Sequence, residues 1–282
     1  MLDGYGYQLA LANGQKWVIV PTQRTAAWVE EWARILRLKK TDSKEGASVI
    51  IVCNRPRKQK KSGNYINSQK WGAPDIVDID CEIWERGNDE LKYMKMLQFF
   101  HVFYKRILDG GGFTCHGALV QRDGKGYILS GPGGIGKSTC CRRLPYPWIP
   151  LCDDEVLIVR HKQKGYCAHP LPTWSNYILQ RNKLTWDVER YISVAGVFFL
   201  SKAHKDQVSP IGPGQAVVFL KYLDTMLLTR TKVPEKVIRL RRKLVDNVCE
   251  FSKHVPAFGL SISRSGRFWK KMEEAIGAVR NR

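Results

Sequence analysis

Along residues 5–20 two apolar runs flank Asn13-Gly14. That pattern predicts two strands joined by a hairpin, because both turn residues tolerate positive φ. Between Ala26 and Leu38 the spacing changes, and Trp28, Trp32, Ile35 and Leu36 fall on one face of a helix that Lys39-Lys40 closes. Such a face belongs to a core. Residues 55–70 are basic, contain Gly and Asn and nearly lack aliphatic side chains, which predicts a loop able to touch an acidic partner. From Tyr93 to Leu108 apolar residues are dense enough for a buried helix, and Asp109-Gly110-Gly111-Gly112 ends it. The break predicts a domain boundary. Residues 1–108 form a smaller α+β region open to substrate docking or to a structural role, and residues 109–282 form the main domain.

Past the boundary, Gly117–Val120 and Tyr127–Ser130 read as strands around the turn residues Arg122–Gly126, and the second strand runs directly into a glycine loop. Ala195–Leu200 reads as a buried strand, Val233–Phe251 as a basic helix and Arg267–Val279 as a C-terminal helix. Strands alternating with helices predict an α/β class. The sequence contains no internal repeat or low-complexity tract.

The glycine loop is the strongest chemical signal. Gly131-Pro-Gly-Gly-Ile-Gly136-Lys137-Ser138 satisfies G-x-x-x-x-G-K-[ST] between an apolar strand and residues able to open a helix. Glycines let backbone N–H groups close around phosphate oxygens, the lysine reaches the β and γ phosphates, and the serine can ligate magnesium. Gly131, Gly133, Gly134, Ile135, Gly136, Lys137, Ser138 and Thr139 are therefore the candidate nucleotide-binding residues, with ATP as the ligand.

Downstream, Asp153-Asp154-Glu155 interrupts what otherwise reads as two short strands, Trp148–Cys152 and Val156–Val159. A carboxylate beside a phosphate loop can hold magnesium, and its neighbour can take a proton from an attacking hydroxyl. Adjacent residues on an extended chain point to opposite faces, so one aspartate leads in each role. His116 stands just before the hairpin that feeds the loop. An isolated histidine carries little by itself.

Composition adds limits. With 44% hydrophobic and 26% charged residues the chain is an ordinary folding sequence. A net charge of +20 attracts polyanions in general and selects none of them. Residues 1–15 lack a basic segment followed by an apolar core, and no run of 18 apolar residues occurs, so the expectation is a cytoplasmic protein without a membrane span. The eight cysteines form no Cys-x-x-Cys pair, which predicts reduced, buried thiols rather than zinc ligands or disulfides.

In order, spacing and content, HGALV, GYILSGPGGIGKST and PLCDDEVLIV resemble HPr kinase/phosphorylase across Thr114–Val159. The resemblance implies the HPr kinase and phosphoenolpyruvate carboxykinase type of P-loop domain. It also implies that His116 contacts the transferring phosphate, that Lys137 and Ser138 serve phosphate and magnesium, and that Asp154 is the catalytic base beside Asp153, a metal ligand. A magnesium-binding Glu of that family has no counterpart here, since no Glu occurs between Glu155 and Glu189. The second metal contact and the phosphorylase reaction are thus left without a residue. Instead the stretch reads His169-Pro-Leu-Pro-Thr-Trp174-Ser175. With residues 203–217 and Gly266-Arg-Phe-Trp269, it resembles divergent HPr-kinase-like proteins of peptide-modification cassettes, the SynChlorMet cassette protein and lasso-peptide precursor kinases among them.

The reading is an ATP- and magnesium-dependent kinase acting on a Ser or Thr of a peptide or small protein. Arg55, Arg57, Lys58, Lys60 and Lys61 are candidate contacts to an acidic acceptor. A nucleotide-sensing module that binds without turnover is the alternative from another class, and the missing Glu favours it. A nucleic-acid-dependent ATPase, suggested by Arg239, Arg241, Arg242 and Lys243, lacks any accompanying recognition motif. A homo-oligomer is left open.

Overall fold

The computed structural model describes residues 4–54, 66–67, 75–79, 81, 89–174, 184–223 and 234–280. The protein is a mixed α/β chain with two sheets. It divides into two compact units, one of Met1–Lys105 with Trp174–Glu189 and one of Arg106–Thr173 with Arg190–Arg282. Apart from Ile66–Asn67, the basic loop predicted over residues 55–70 lies outside the described residues.

The first unit holds β1 (Gly6–Ala10), β2 (Lys16–Pro21), α1 (Ala26–Ile35), β3 (Lys39–Thr41), β4 (Ser48–Asn54), β5 (Ile66–Asn67), β6 (Asp75–Ile79) and most of α2 (Asp89–Asp109). Its strands lie in the order β3-β1-β2-β4-β6-β5. The expected hairpin forms, though not as a two-residue turn. Leu11 and Asn13-Gly14 close a longer loop in which the Gly14 N–H donates to the Leu11 carbonyl, and Gly14 alone takes positive φ, at 87°. Helix α1 ends at Ile35, the chain turns at Arg37, whose φ is 55°, and Lys39-Lys40 begin β3 instead of closing the helix. The returning segment is tied to this unit by a backbone bond from Trp186 N–H to the Ile35 carbonyl at 2.7 Å and by the Glu189 carboxylate, whose Oε1 accepts from Ala10 N–H at 2.8 Å.

Aromatic rings build the core of this unit. Trp32 is fully buried, meets Phe99 edge-on at 4.9 Å and stacks on Phe103 at 5.9 Å, while Trp17 packs against Phe103 at 5.3 Å. Helical spacing on α1 and α2 brings these rings together.

The second unit contains β7 (Phe113–Arg122), β8 (Lys125–Ser130), α3 (Lys137–Arg143), β9 (Ile149–Cys152), β10 (Glu155–His161), β11 (Gly165–Pro170), β12 (Ile192–Lys202), β13 (Gln207–Ile211), α4 (Pro213–Leu223), α5 (Pro234–His254), β14 (Ala257–Ile262) and α6 (Phe268–Arg280). The sheet order is β11-β10-β7-β8-β12-β14-β13, with β9 paired to β7. Strands β8, β12 and β14 run parallel, so their C-terminal ends share one edge. Open α/β sheets place ligands at that edge.

Alternate residues face opposite sides of the sheet. Val120, Leu129, Phe198, Leu200, Phe258 and Leu260 pack with Cys140 of α3 and with Phe268 and Met272 of α6. On other rows, Phe199 meets Phe219 of α4 at 5.0 Å and Phe113 meets Phe251 of α5 at 5.2 Å.

Truncating the central ring of the first unit, Trp32→Ala, leaves a large cavity. It is expected to cost about 3–5 kcal/mol, read from urea unfolding. A change below about 1 kcal/mol would mean that Trp32 is not part of the packed core.

Candidate active site

Asp123 and Gly124, with φ of 48° and 72°, form the tight turn that folds β7 back on β8. Its register sets Gly117 opposite Ser130, which puts His116 beside the mouth of the glycine loop. On the other edge of β7, Glu155 of β10 pairs with His116, so Asp154 arrives at the same level. The Gly117 N–H donates to the Asp154 carbonyl at 2.9 Å and fixes that bend. Three adjacent strands thus carry Asp154, His116 and Gly131 abreast.

Within the loop, Gly134 and Gly136 have φ of 74° and 115°, left-handed values that side chains rarely adopt. Ile135 packs toward the core below the loop. No atom lies within 4 Å of where a Cβ would stand on Gly133 or Gly134, so the backbone there is open to a ligand. Ser138 is half-buried at the start of α3, and exposed Thr139 accepts a bond from Arg142 at 3.4 Å.

Lys137 turns its ammonium back into the loop. Nζ donates to the Gly131 carbonyl at 2.9 Å and the Pro132 carbonyl at 3.2 Å, and lies 2.8 Å from His116 Nε2. An ammonium only donates, so His116 Nε2 is the acceptor and its proton sits on Nδ1. That nitrogen lies 3.3 Å from Asp154 Oδ1. Desolvation by burial, then the Lys137 charge, holds the His116 pKa below its usual value, in keeping with a neutral ring. Desolvation by burial raises the Asp154 pKa against the lowering pull of His116 and Lys137. His116 and Asp154 keep 34% and 37% of their side-chain surface exposed, enough for a second reactant to reach them.

Asp153 has a different hydrogen-bond partner. Its Oδ1 accepts a bond at 2.5 Å from the hydroxyl of Thr173, a buried residue. Sequence reasoning noted Thr173 only within an unusual Pro/Trp word, and nothing in its spacing pointed to Asp153. Ser130 was also missed; its hydroxyl donates to the His116 carbonyl at 3.1 Å and holds that strand against the loop.

Among the described residues no three His, Cys, Asp or Glu side chains converge as a complete metal site. Magnesium needs none, because it is held by one or two carboxylates together with substrate phosphates and water. A serine hydroxyl at the loop and an oriented carboxylate are a donor set of that kind. The cysteines near the loop are chemically quiet. Burial pushes Cys140 up to about 11 and Cys152 up to about 12, and it raises Cys141 as well.

Arg55, Arg57, Lys58, Lys60 and Lys61 lie outside the described residues. On α5, Arg239, Arg241 and Arg242 are exposed, Lys243 pairs with Asp109 at 2.7 Å, and Leu244, Val248 and Phe251 are buried. This is an amphipathic helix with a solvated basic face.

Residues 79–277, more than two thirds of the chain, match the family model described as SynChlorMet cassette protein ScmC. The chain belongs to the ScmC family. This member is similar in structure to the Hpr(Ser) kinase/phosphatase from Coxiella burnetii, at 21% identity over 60% of this chain and 89% of that chain, with a TM-score of 0.32. No curated protein matches it. Among the described residues no helix is long and apolar enough to cross a membrane.

The buried ammonium has a measurable consequence. Desolvation by burial holds Lys137 below its ordinary 10.5. Between that lowered value and 10.5 the unfolded chain carries a proton that the folded chain has released, so this group makes stability rise with pH there. Lys137→Met should remove that contribution. Urea-unfolding free energies compared at about pH 8 and about pH 10 should rise less in the variant than in the wild type. An identical pH dependence would show that Lys137 is fully hydrated.

Proposed function

We propose that this protein is an ATP-dependent kinase that transfers the γ-phosphate to a Ser or Thr hydroxyl of a peptide or small protein. A ribosomally made precursor peptide is the acceptor to test first. The supporting observation is the convergence of a phosphate-type loop, a neutral imidazole and a desolvated carboxylate on the Lys137 ammonium.

In this reading backbone amides of residues 131–138 and the Lys137 ammonium bind the phosphates. Asp154 accepts the proton of the acceptor hydroxyl as its oxygen forms a bond to the γ phosphorus. The bond from that phosphorus to the bridging oxygen breaks, and the electron pair leaves with ADP. A raised pKa suits Asp154 to the task, since a stronger base removes the proton more readily near neutral pH. His116, its tautomer set by Lys137, presents its Nδ1–H side to that carboxylate and is a positioning residue. Ser138 and Asp153 would hold magnesium, which when bound neutralises charge on the β and γ phosphates.

The absence of a Glu between Glu155 and Glu189 favours a second reading, a nucleotide sensor that binds without turnover. Incubation with radiolabelled ATP and candidate peptides separates the two, because a sensor labels nothing.

Asp154→Asn should lower transfer by about 10²–10⁴-fold while nucleotide affinity stays near that of the wild type. Transfer at the wild-type rate would remove Asp154 as the base. Thr173→Val, which deletes the bond to Asp153, should raise the magnesium concentration needed for half-maximal transfer about tenfold, with Thr173→Ser restoring it. An unchanged magnesium requirement would place Asp153 outside the metal site.

A further inference from the structure

The edge that carries the glycine loop has two sides. Asp154 and His116 stand on the β10-β7 side of β8. On the opposite side, over β12, β14 and β13, lies a pocket of about 820 Å³ whose wall includes Gly131 and Pro132, the first two residues of the loop. Its volume is in the range of small-molecule sites, roughly 300–1,000 Å³.

From this arrangement we infer that the pocket receives the nucleoside part of the nucleotide whose phosphates the loop binds, an assignment that rests on the proposed phosphate-binding role of the loop. A triphosphate is a linear chain. If its γ end meets Asp154 on one side of β8, its α end and sugar leave on the other, toward Pro132 and the pocket. The lining suits such an occupant. Phe219 presents a ring that is 38% exposed in the pocket wall and is backed at 5.0 Å by the ring of Phe199. An exposed, supported aromatic ring is a stacking platform for a base. On the adjacent strands, Ser201 and Ser261 bring their hydroxyl oxygens to 3.1 Å of each other, and Ser209 adds a third hydroxyl, groups able to bond a sugar or base edge.

The test compares magnesium-ATP with magnesium-tripolyphosphate, which has the phosphates and no nucleoside, by calorimetry on the full chain. The wild type should bind ATP more tightly than tripolyphosphate. Phe219→Ala and Ser209→Trp alter positions exposed at the pocket wall, and tripolyphosphate binding checks that each variant is folded. The first removes the platform and the second fills the pocket. Each should weaken ATP about 5- to 100-fold, the scale of one aromatic–base stack, and leave tripolyphosphate affinity unchanged. Equal wild-type affinity for the two ligands, or ATP binding unaffected by both variants, overturns the nucleoside assignment and leaves the loop's role intact. A wild-type protein that binds neither ligand overturns both.

Discussion

The arrangement depends on one ammonium held in a poorly hydrated place. Lys137 gives up water for two loop carbonyls and an imidazole nitrogen, and the cost of that exchange appears as its lowered pKa. Asp154 pays the opposite-signed cost, with a raised pKa, a few ångströms further along. Each charge partly offsets the other through a neutral histidine between them. Without the carboxylate the ammonium would be harder to keep charged, and without the ammonium the imidazole would lose the donor that fixes its tautomer.

Strand register makes that balance possible. Neighbouring strands lie about 4.8 Å apart, so three groups placed level on β10, β7 and the end of β8 are separated by fixed steps. A slip of one residue in β7 would turn His116 to the other face of the sheet and break its contacts with Lys137 and Asp154. The turn at Asp123-Gly124 guards against this, because its two positive-φ residues admit one register.

Much of this was readable from local pattern. The glycine loop, the hairpin that feeds it, the carboxylate bend and helices α1, α2, α5 and α6 follow from turn chemistry and periodicity acting within about ten residues. What was not readable involves partners distant in the chain. Thr173 reaches Asp153 because β10 and β11 form a hairpin and Leu171 N–H bonds back to the Glu155 carbonyl, a path that no spacing rule contains. Strand β13 was missed because it is an exposed edge strand with little apolar alternation. The return of residues 184–189 to the first unit was equally hidden. It depends on backbone bonds to Ile35 and Leu36, and backbone groups carry no sequence signature. Lys39-Lys40 misled for a related reason: a basic pair suits a helix end and an exposed edge strand alike.

The two adjacent aspartates show how one peptide step can yield two different groups. Partial burial disfavours the Asp154 carboxylate, which suits it to take a proton. Asp153 receives a hydroxyl hydrogen bond from Thr173, which satisfies one of its oxygens and orients the group. Environments that treat neighbouring carboxylates differently are how a site separates a base from an ion-holding ligand. Here the separation comes from the bend between β9 and β10. It aims one side chain at His116 and the other at Thr173, so the two carboxylates cannot exchange partners without refolding the bend.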